Sequence, residues 1–369
     1  MKIPFVSLEE QNNIIKPQLL RAVEEVIDSK WYILGEKVKL FEENYSQYNQ
    51  VAYTIGVANG LDALHLALKA LNVGEGDEVI VPSNTYIATW LAVSYSGATI
   101  VPVEPDINTY NIRASEIEKV ISSKTKAIIP VHLYGQACEM AEICELATRE
   151  NLFIIEDNAQ AQGASYNGKL TGTFGNLNAT SFYPGKNLGA MGDAGAITTN
   201  NTTLAKKVKI LRNYGSIKKY KHDFIGYNSR LDEIQAAILD VKLKLLPEWT
   251  KERQAIASQY DEYLKGVGDI ILPQVAANAS HVYHLYVIRT TYRDQLQNYL
   301  AKKGIETLIH YPVPPHFQNA YNQLNYTTGS YLIAEEIAST CLSLPLWIGL
   351  TTLNVERVCE MIKEFYGDK

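Results

Sequence analysis

Residues 52–83 read AYTIGVANGLDALHLALKALNVGEGDEVIVPS, and their alternation decides the fold. The run AYTIGV (52–57) is short and rich in aromatic and β-branched residues, the composition of a strand. In LDALHLALKAL, which follows, Leu61, Leu64, Ala67, Leu68 and Leu71 recur at helical spacing. EVIVPS then returns to strand composition. The exchange repeats downstream as YIATWLAVSYSG, ATIVPVEP, SEIEKVISS, KAIIPVHLYG, EMAEICELATRE and LFIIEDNAQ. Parallel strands need crossovers of this length, so the pattern implies βαβ units and a mostly parallel sheet covered by helices on both faces.

Beyond EDNAQ the rhythm changes to two close-set short strands, NATSFY and GAITTN, before a helix near 202–213. A long helical stretch begins at Arg230, with Pro247 expected to kink or break it. It leads from a large α/β domain, residues 1–245 with the N-terminal segment, into a smaller C-terminal α+β domain, residues 246–369. That domain holds the strand candidate YHLYVIR and ends in the helix NVERVCEMIKEFYGDK. A chain of 369 residues exceeds the size at which one core usually stops growing, which fits two domains.

The net charge of -6 argues against a general nucleic-acid binder, which needs a basic surface to release counterions. Cys138, Cys144, Cys341 and Cys359 form neither a disulfide framework nor a CxxC metal pair. The first residues lack a signal-peptide pattern and no run has the roughly 18 apolar residues of a membrane span. The expectation is a cytoplasmic protein with no membrane, metal or nucleic-acid partner.

In open α/β sheets, ligands sit beyond the carboxyl ends of the strands. There the sequence places Asn59 and Gly60, then Ser83 and Asn84, then Asp157 and Gln160. Asn59 and Gly60 open a helix, and the free N–H groups of its first turn suit either a phosphate or an ordinary N-cap. Asp157 follows an apolar run, where a carboxylate needs a partner: a cap, a salt bridge or a ligand. Lys186 stands among glycines 185, 189, 192 and 195 in SFYPGKNLGAMGDAG (181–195), backbone that must bend tightly or admit a close neighbour. It is either a lysine on a flexible surface loop or a desolvated amine with a lowered pKa, fit to form a Schiff base. A helix-start phosphate site, a strand-end aspartate and such a lysine are together the parts that pyridoxal phosphate requires, with Tyr86 placed to stack on its ring or to pack in the core.

These residues lie in longer motifs: WYILGEKVKLFEENYSQY, ANGLDALHLAL, GDEVIVPSNTYIAT, EDNAQAQGA, SFYPGKNLGAMGDAG, RNYG, YNSRLDEIQAAIL and IHYPVPPH. The ordered set closely resembles the DegT/DnrJ/EryC1/StrS family of sugar-nucleotide aminotransferases, within the fold-type I pyridoxal-phosphate superfamily. The resemblance implies that Lys186 binds the cofactor covalently and that Asp157 holds the pyridinium nitrogen. It also implies that Gln160 contacts the ring hydroxyl, that Gly60, Leu61 and Ser181 hold the phosphate, and that Tyr86 stacks on the ring. Asn228 would reach the phosphate of the neighbouring subunit's cofactor, so the active site would exist only in a homodimer. Asn158 replaces an alanine common in the family motif, a mild departure.

The motif NGLDAL with SFYPGKNLGA is similar to the subgroup that aminates C3 of a 3-oxo-6-deoxyhexose on thymidine diphosphate. The implied reaction moves an amino group from L-glutamate to dTDP-3-oxo-6-deoxy-α-D-glucose in two stages, with 2-oxoglutarate released first. The galacto epimer, and C4-amination of a UDP- or GDP-4-keto-sugar, are the alternatives. A basic loop supports a diphosphate substrate independently: Arg212, Lys218, Lys219, Lys221 and Arg230 are interleaved with Tyr214, Tyr220 and Tyr227 in an acidic protein, though a solvated loop would look the same. Lys219, Tyr220, Tyr32, Tyr183, His310 and Tyr311 are the substrate-side candidates. A pyridoxal-phosphate-binding regulator would need a basic DNA-binding helix, and a nicotinamide enzyme would need GxGxxG where the sequence has GVANGLDAL.

Overall fold

The computed structural model describes residues 2–367. Two helices precede the first strand, α1 (Glu9–Ser29) and α2 (Glu36–Asn49). The alternating segment then forms β1 (Tyr53–Val57), α3 (Gly60–Ala70), β2 (Glu78–Pro82), α4 (Ile87–Ser96), β3 (Thr99–Val103), α5 (Ala114–Glu118), β4 (Thr125–Ile128), α6 (Met140–Arg149) and β5 (Phe153–Asp157). A small hairpin, β6 (Ser165–Tyr166) and β7 (Lys169–Leu170), leads to β8 (Leu177–Ser181) and β9 (Gly195–Thr199).

Seven of these strands make one sheet in the order β1-β9-β8-β5-β4-β2-β3. β9 pairs antiparallel with both β1 and β8, while β8, β5, β4, β2 and β3 pair in parallel. The period of a strand shows in the packing. Val79, Val81, Ala127, Ile129 and Ile155 enter one core with α3, α4 and helix α7 (Thr202–Leu211). Their neighbours Ile80, Ile128 and Ile154 enter another with α5 and α6. Both faces are thus covered, as the near-continuous apolar strands require.

After α7 come a hairpin, β10 (Ser216–Lys218) and β11 (Lys221–His222), and then α8 (Glu233–Leu243). Of the kink or break expected at Pro247, the break is observed, between Leu243 and Leu246. The proline lies in the first turn of a new helix, α9 (Leu246–Leu264), where its missing N–H has no intrahelical acceptor to lose. The chain continues through β12 (Tyr286–Arg289), α10 (Arg293–Lys302), α11 (Leu332–Thr340), β13 (Cys341–Leu344) and α12 (Thr352–Gly367). β12 and β13 pair antiparallel, and Tyr286, Ile288, Leu342 and Leu344 share a separate core with α9, α10 and α12. Ile3 joins that core and bridges to Ile305, which ties the start of the chain to the C-terminal layer.

Glu104, just beyond β3, holds the start of α11. Its carboxylate accepts the Ile333 N–H at 2.8 Å, the Ala334 N–H at 3.1 Å and the Ser83 hydroxyl at 3.1 Å. Among the described residues, no helix is long and apolar enough to cross a membrane.

Candidate active site

The carboxyl ends of β1, β5 and β8 converge on Lys186. Its loop is pinned rather than flexible. The Lys186 N–H donates to the Tyr183 carbonyl at 2.8 Å, and the Ala190 N–H donates to Phe182 at 2.8 Å. The buried Lys242 on α8 donates from Nζ to Gly189 at 2.8 Å, and Asn187 Nδ2 donates to Val282 at 3.0 Å. Phe182, Leu188 and Ala190 are buried against α2 and α8. None of the four glycines at 185, 189, 192 and 195 has a positive φ. Close approach explains two of them: a Cβ at Gly195 would lie 2.5 Å from the Asn59 carbonyl, and one at Gly189 would strike the Pro184 backbone.

Lys186 is half-buried, and loss of hydration lowers its amine to about 8, against the opposing pull of Asp157. Asp157, at the last position of β5, is only 6% exposed. Burial raises its pKa, while a hydrogen bond from Thr89, the Ala159 N–H and the charge of Lys186 pull it back. Thr89 Oγ1 donates to Asp157 Oδ2 at 2.9 Å, and the Ala159 N–H donates to Oδ1 at 3.2 Å.

The preceding residue faces away from this site. Glu156 is fully buried and accepts the N–H groups of Gly172, Phe174 and Gly175 and a hydrogen bond from His132 Nε2 at 2.9 Å. The Cys138 N–H donates to His132 Nδ1 at 3.0 Å, which places the ring proton on Nε2. Glu156 and His132 therefore build the floor beneath Asp157.

At the start of α3, Asn59 Oδ1 accepts the Asp62 N–H at 2.8 Å, so Asn59 is an N-cap as well. The N–H groups of Gly60 and Leu61 have no intrahelical acceptor. A Cβ at Gly60 would lie 2.6 Å from Ser181 Cβ, so the bare glycine lets the helix start sit against the end of β8. Tyr183 follows, exposed, with its N–H on Ser181 Oγ at 3.3 Å.

Tyr86 is the N-cap residue of α4, and its ring lies 5.2 Å from that of Tyr311. Gln160 Nε2 donates to the Tyr311 hydroxyl at 2.9 Å, and Gln160 Oε1 accepts the Tyr134 N–H at 2.6 Å. His310 Nδ1 lies 2.8 Å from Ser343 Oγ, and burial, with the charge of Lys186, lowers this imidazole to about 4. Tyr86, Tyr311, Pro312, Val313, Pro315 and Gln318 border a cavity of about 110 Å³ at the mouth of the site.

The fold thus gathers Lys186, Asp157, Gly60, Leu61, Ser181, Tyr183, Tyr86, Gln160, His310 and Tyr311 around one cleft. Four expected residues are exposed on the single chain and, among the described residues, make no side-chain hydrogen bond or ring contact with that cluster. Lys219 and Tyr220 lie at the tip of the β10–β11 hairpin, with Tyr220 84% exposed and the lysine 5.3 Å over its ring. Tyr32 is exposed before α2, and Asn228 is exposed although its neighbour Ser229 accepts the Ala58 N–H at 3.2 Å. Ser83 and Asn84, read as strand-end polar residues, hold Glu104 and the Tyr110 carbonyl instead. Thr89, His132 and Glu156 were not anticipated. The signal for Thr89 was available in principle, since a buried carboxylate calls for a donor.

A depressed lysine amine facing a buried carboxylate, next to a helix start stripped of its Cβ, is the donor set of an enzyme that uses pyridoxal phosphate. The residues fit that group: free N–H donors and a hydroxyl for a dianion, an acceptor for a ring N–H, and an amine for an aldehyde. The chain belongs to the DegT/DnrJ/EryC1/StrS aminotransferase family, whose model matches residues 13–363. It is 52% identical over 363 residues to the dTDP-3-amino-3,6-dideoxy-α-D-galactopyranose transaminase of Aneurinibacillus thermoaerophilus, covering 98% of this chain and 99% of that one. The fold is similar to the crystal structure of Streptomyces venezuelae DesV in complex with a ketimine intermediate, with a TM-score of 0.97 at 44% identity over 99% and 98% of the two chains. It is also similar to NtdA of Bacillus subtilis with bound cofactor PMP, with a TM-score of 0.93 at 33% identity over 99% and 85%.

Proposed function

We propose that this protein is a pyridoxal-phosphate-dependent aminotransferase that moves an amino group from L-glutamate to C3 of a dTDP-linked 3-oxo-6-deoxyhexose. The observation that carries the chemistry is the lysine amine lowered to about 8 opposite the buried Asp157. The 52% identity with a dTDP-3-amino-sugar transaminase supports the substrate class, and it moves the preferred C4 epimer from the gluco form expected from sequence to the galacto form.

Pyridoxal phosphate, when bound, supplies an aldehyde that captures the amino group and a ring that accepts the electron pair freed at carbon. The chain's own residues do the rest. Asp157 Oδ would accept the ring N–H and keep that nitrogen cationic. The N–H groups of Gly60 and Leu61, with Ser181 Oγ, would hold the phosphate. Tyr86 would support the ring face, and Gln160 would offer the ring hydroxyl its second Nε2–H, the first being given to Tyr311. Lys186 Nζ takes the proton from the donor's α-carbon and returns protons in the second stage, work suited to an amine poised near neutrality. Tyr183, His310 and Tyr311 face the sugar.

Lys219, Tyr220, Tyr32 and Asn228 serve the site from a second subunit. Their exposure on the single chain supports a homodimer with shared sites, in which Asn228 reaches the partner's phosphate group and the hairpin meets the diphosphate.

The purified protein should be yellow, lose its visible band on adding L-glutamate and regain it with either epimer of the dTDP-3-oxo-6-deoxyhexose. Recovery with UDP- or GDP-4-keto-sugars alone would overturn the substrate reading. A colourless protein that takes up no pyridoxal phosphate would overturn the cofactor reading.

A further inference from the structure

Asp157 has an ionic duty in a place that discourages ions. Its side chain is buried, and burial alone favours the neutral acid. The nearest imidazole does not assist by hydrogen bonding, because His132 is engaged at both nitrogens, with Cys138 and with Glu156. Among the described residues, the hydrogen bonds to the Asp157 carboxylate come from the Ala159 N–H and the Thr89 hydroxyl. Thr89 Oγ1 lies 2.8 Å from Thr85 Oγ1. Both threonines are 1% exposed.

The direction of this chain follows from its end. An ionised carboxylate only accepts, so the Thr89 proton points to Asp157 Oδ2, and the Thr85 proton then points to Thr89 Oγ1. Linked hydroxyls polarise one another in a dry interior. The contacts with Thr85 Oγ1 on one side and Asp157 Oδ2 on the other hold the Thr89 hydroxyl in place before a ligand arrives. The same helix start carries Tyr86, which couples the support of the ring face to the aim of the carboxylate.

We propose that Thr85 and Thr89 form a positioning pair, a two-hydroxyl donor chain that fixes the rotamer of Asp157 and keeps its carboxylate ionised toward the cofactor nitrogen. This rests on the reading of Asp157 as that nitrogen's partner. The other ionisable groups facing Asp157 are Lys186 on its loop, His132 and Cys138 beyond β4, and Tyr311 from the C-terminal layer.

The test is a pyridoxal phosphate titration of cofactor-free protein, followed by the pH dependence of the visible band. Thr89→Val should weaken cofactor binding about tenfold, the size expected for losing a hydrogen bond to a charged group. It should also move the acid limb of the band's titration up by about one pH unit. Thr89→Ser should restore both. Thr85→Val should shift both in the same direction by less, and should add nothing in the Thr89→Val background, because it acts only through Thr89. Wild-type affinity and an unmoved acid limb in Thr89→Val, with Asp157→Asn impaired, would overturn the proposal alone. Asp157→Asn with unchanged affinity and spectrum would overturn the reading of Asp157 and the proposal with it.

Discussion

Gly60 and Ser181 approach so closely that a Cβ at position 60 would lie 2.6 Å from Ser181 Cβ. The missing side chain brings the helix start and the strand end close enough to offer their donors to one small ligand. Gly60→Ala should therefore push α3 from β8 and cost about 1–3 kcal/mol of stability. Half-saturation by pyridoxal phosphate should rise at least about tenfold. Thermal melting and cofactor titration read the two effects, and an alanine variant with wild-type values in both would remove the cradle from the account.

Lys186 binds fewer protons folded than unfolded between about 8 and the ordinary lysine value of 10.5. Stability of the cofactor-free protein should rise with pH across that window, because the unfolded state binds more protons there. Lys186→Met lacks this term. Its stability relative to wild type should be highest near pH 7 and should decline toward pH 10, as followed by urea denaturation. Parallel curves would show that the amine is not perturbed.

Tyr311 and Gln160 link the C-terminal layer to the strand-end loop through a 2.9 Å hydrogen bond. Tyr311→Phe leaves the Gln160 amide without that partner, and the unfolding free energy should fall by about 1–3 kcal/mol. Denaturant melts measure it. A neutral result would mean that another acceptor replaces the phenol.

Glu104 caps α11 across the two layers, accepting two of its first N–H groups. Glu104→Ala should lower stability by about 0.5–2 kcal/mol, the usual cost of losing such a cap. Hydrogen exchange at Ile333 and Ala334 should accelerate in the same variant. Unchanged exchange at those amides would contradict the contact.

Lys219→Ala and Tyr220→Ala alter an exposed hairpin tip, so melting should stay within about 0.5 kcal/mol of wild type. The glutamate half-reaction should be unaffected, whereas KM for the nucleotide sugar should rise about tenfold or more if the partner's hairpin meets the diphosphate. Equal KM values would place the nucleotide elsewhere.

Much of this architecture was legible in the chain. The short continuous apolar runs of residues 52–157 follow from burial on both faces of the sheet, and the 3.6 period of the intervening helices from burial of one face of each. The alternation of Val79, Ile80 and Val81 between two cores is the same fact seen in space. Lys186, Asp157 and Gly60 were legible because each breaks a local rule: a charge among glycines, a carboxylate after an apolar strand, a helix start without a side chain. The helices α1 and α2 were not drawn from periodicity. The buried carboxylate called for a donor, but which residues supply it was not legible, because Asp157 lies 68 residues beyond Thr89.

By itself, then, the sequence determined the mostly parallel sheet and the family and named the candidate residues of the site, since these rest on local period and on ordered motifs. Only the tertiary structure decided between the open alternatives. It showed that the lysine loop is pinned by Lys242 and Asn187, not flexible, and that Gly189 and Gly195 admit neighbours in place of turning the chain. It also gave the two neighbours Glu156 and Asp157 opposite duties. The reason is physical: a strand's side chains alternate between its two faces. What each face meets is set by segments far away in the chain.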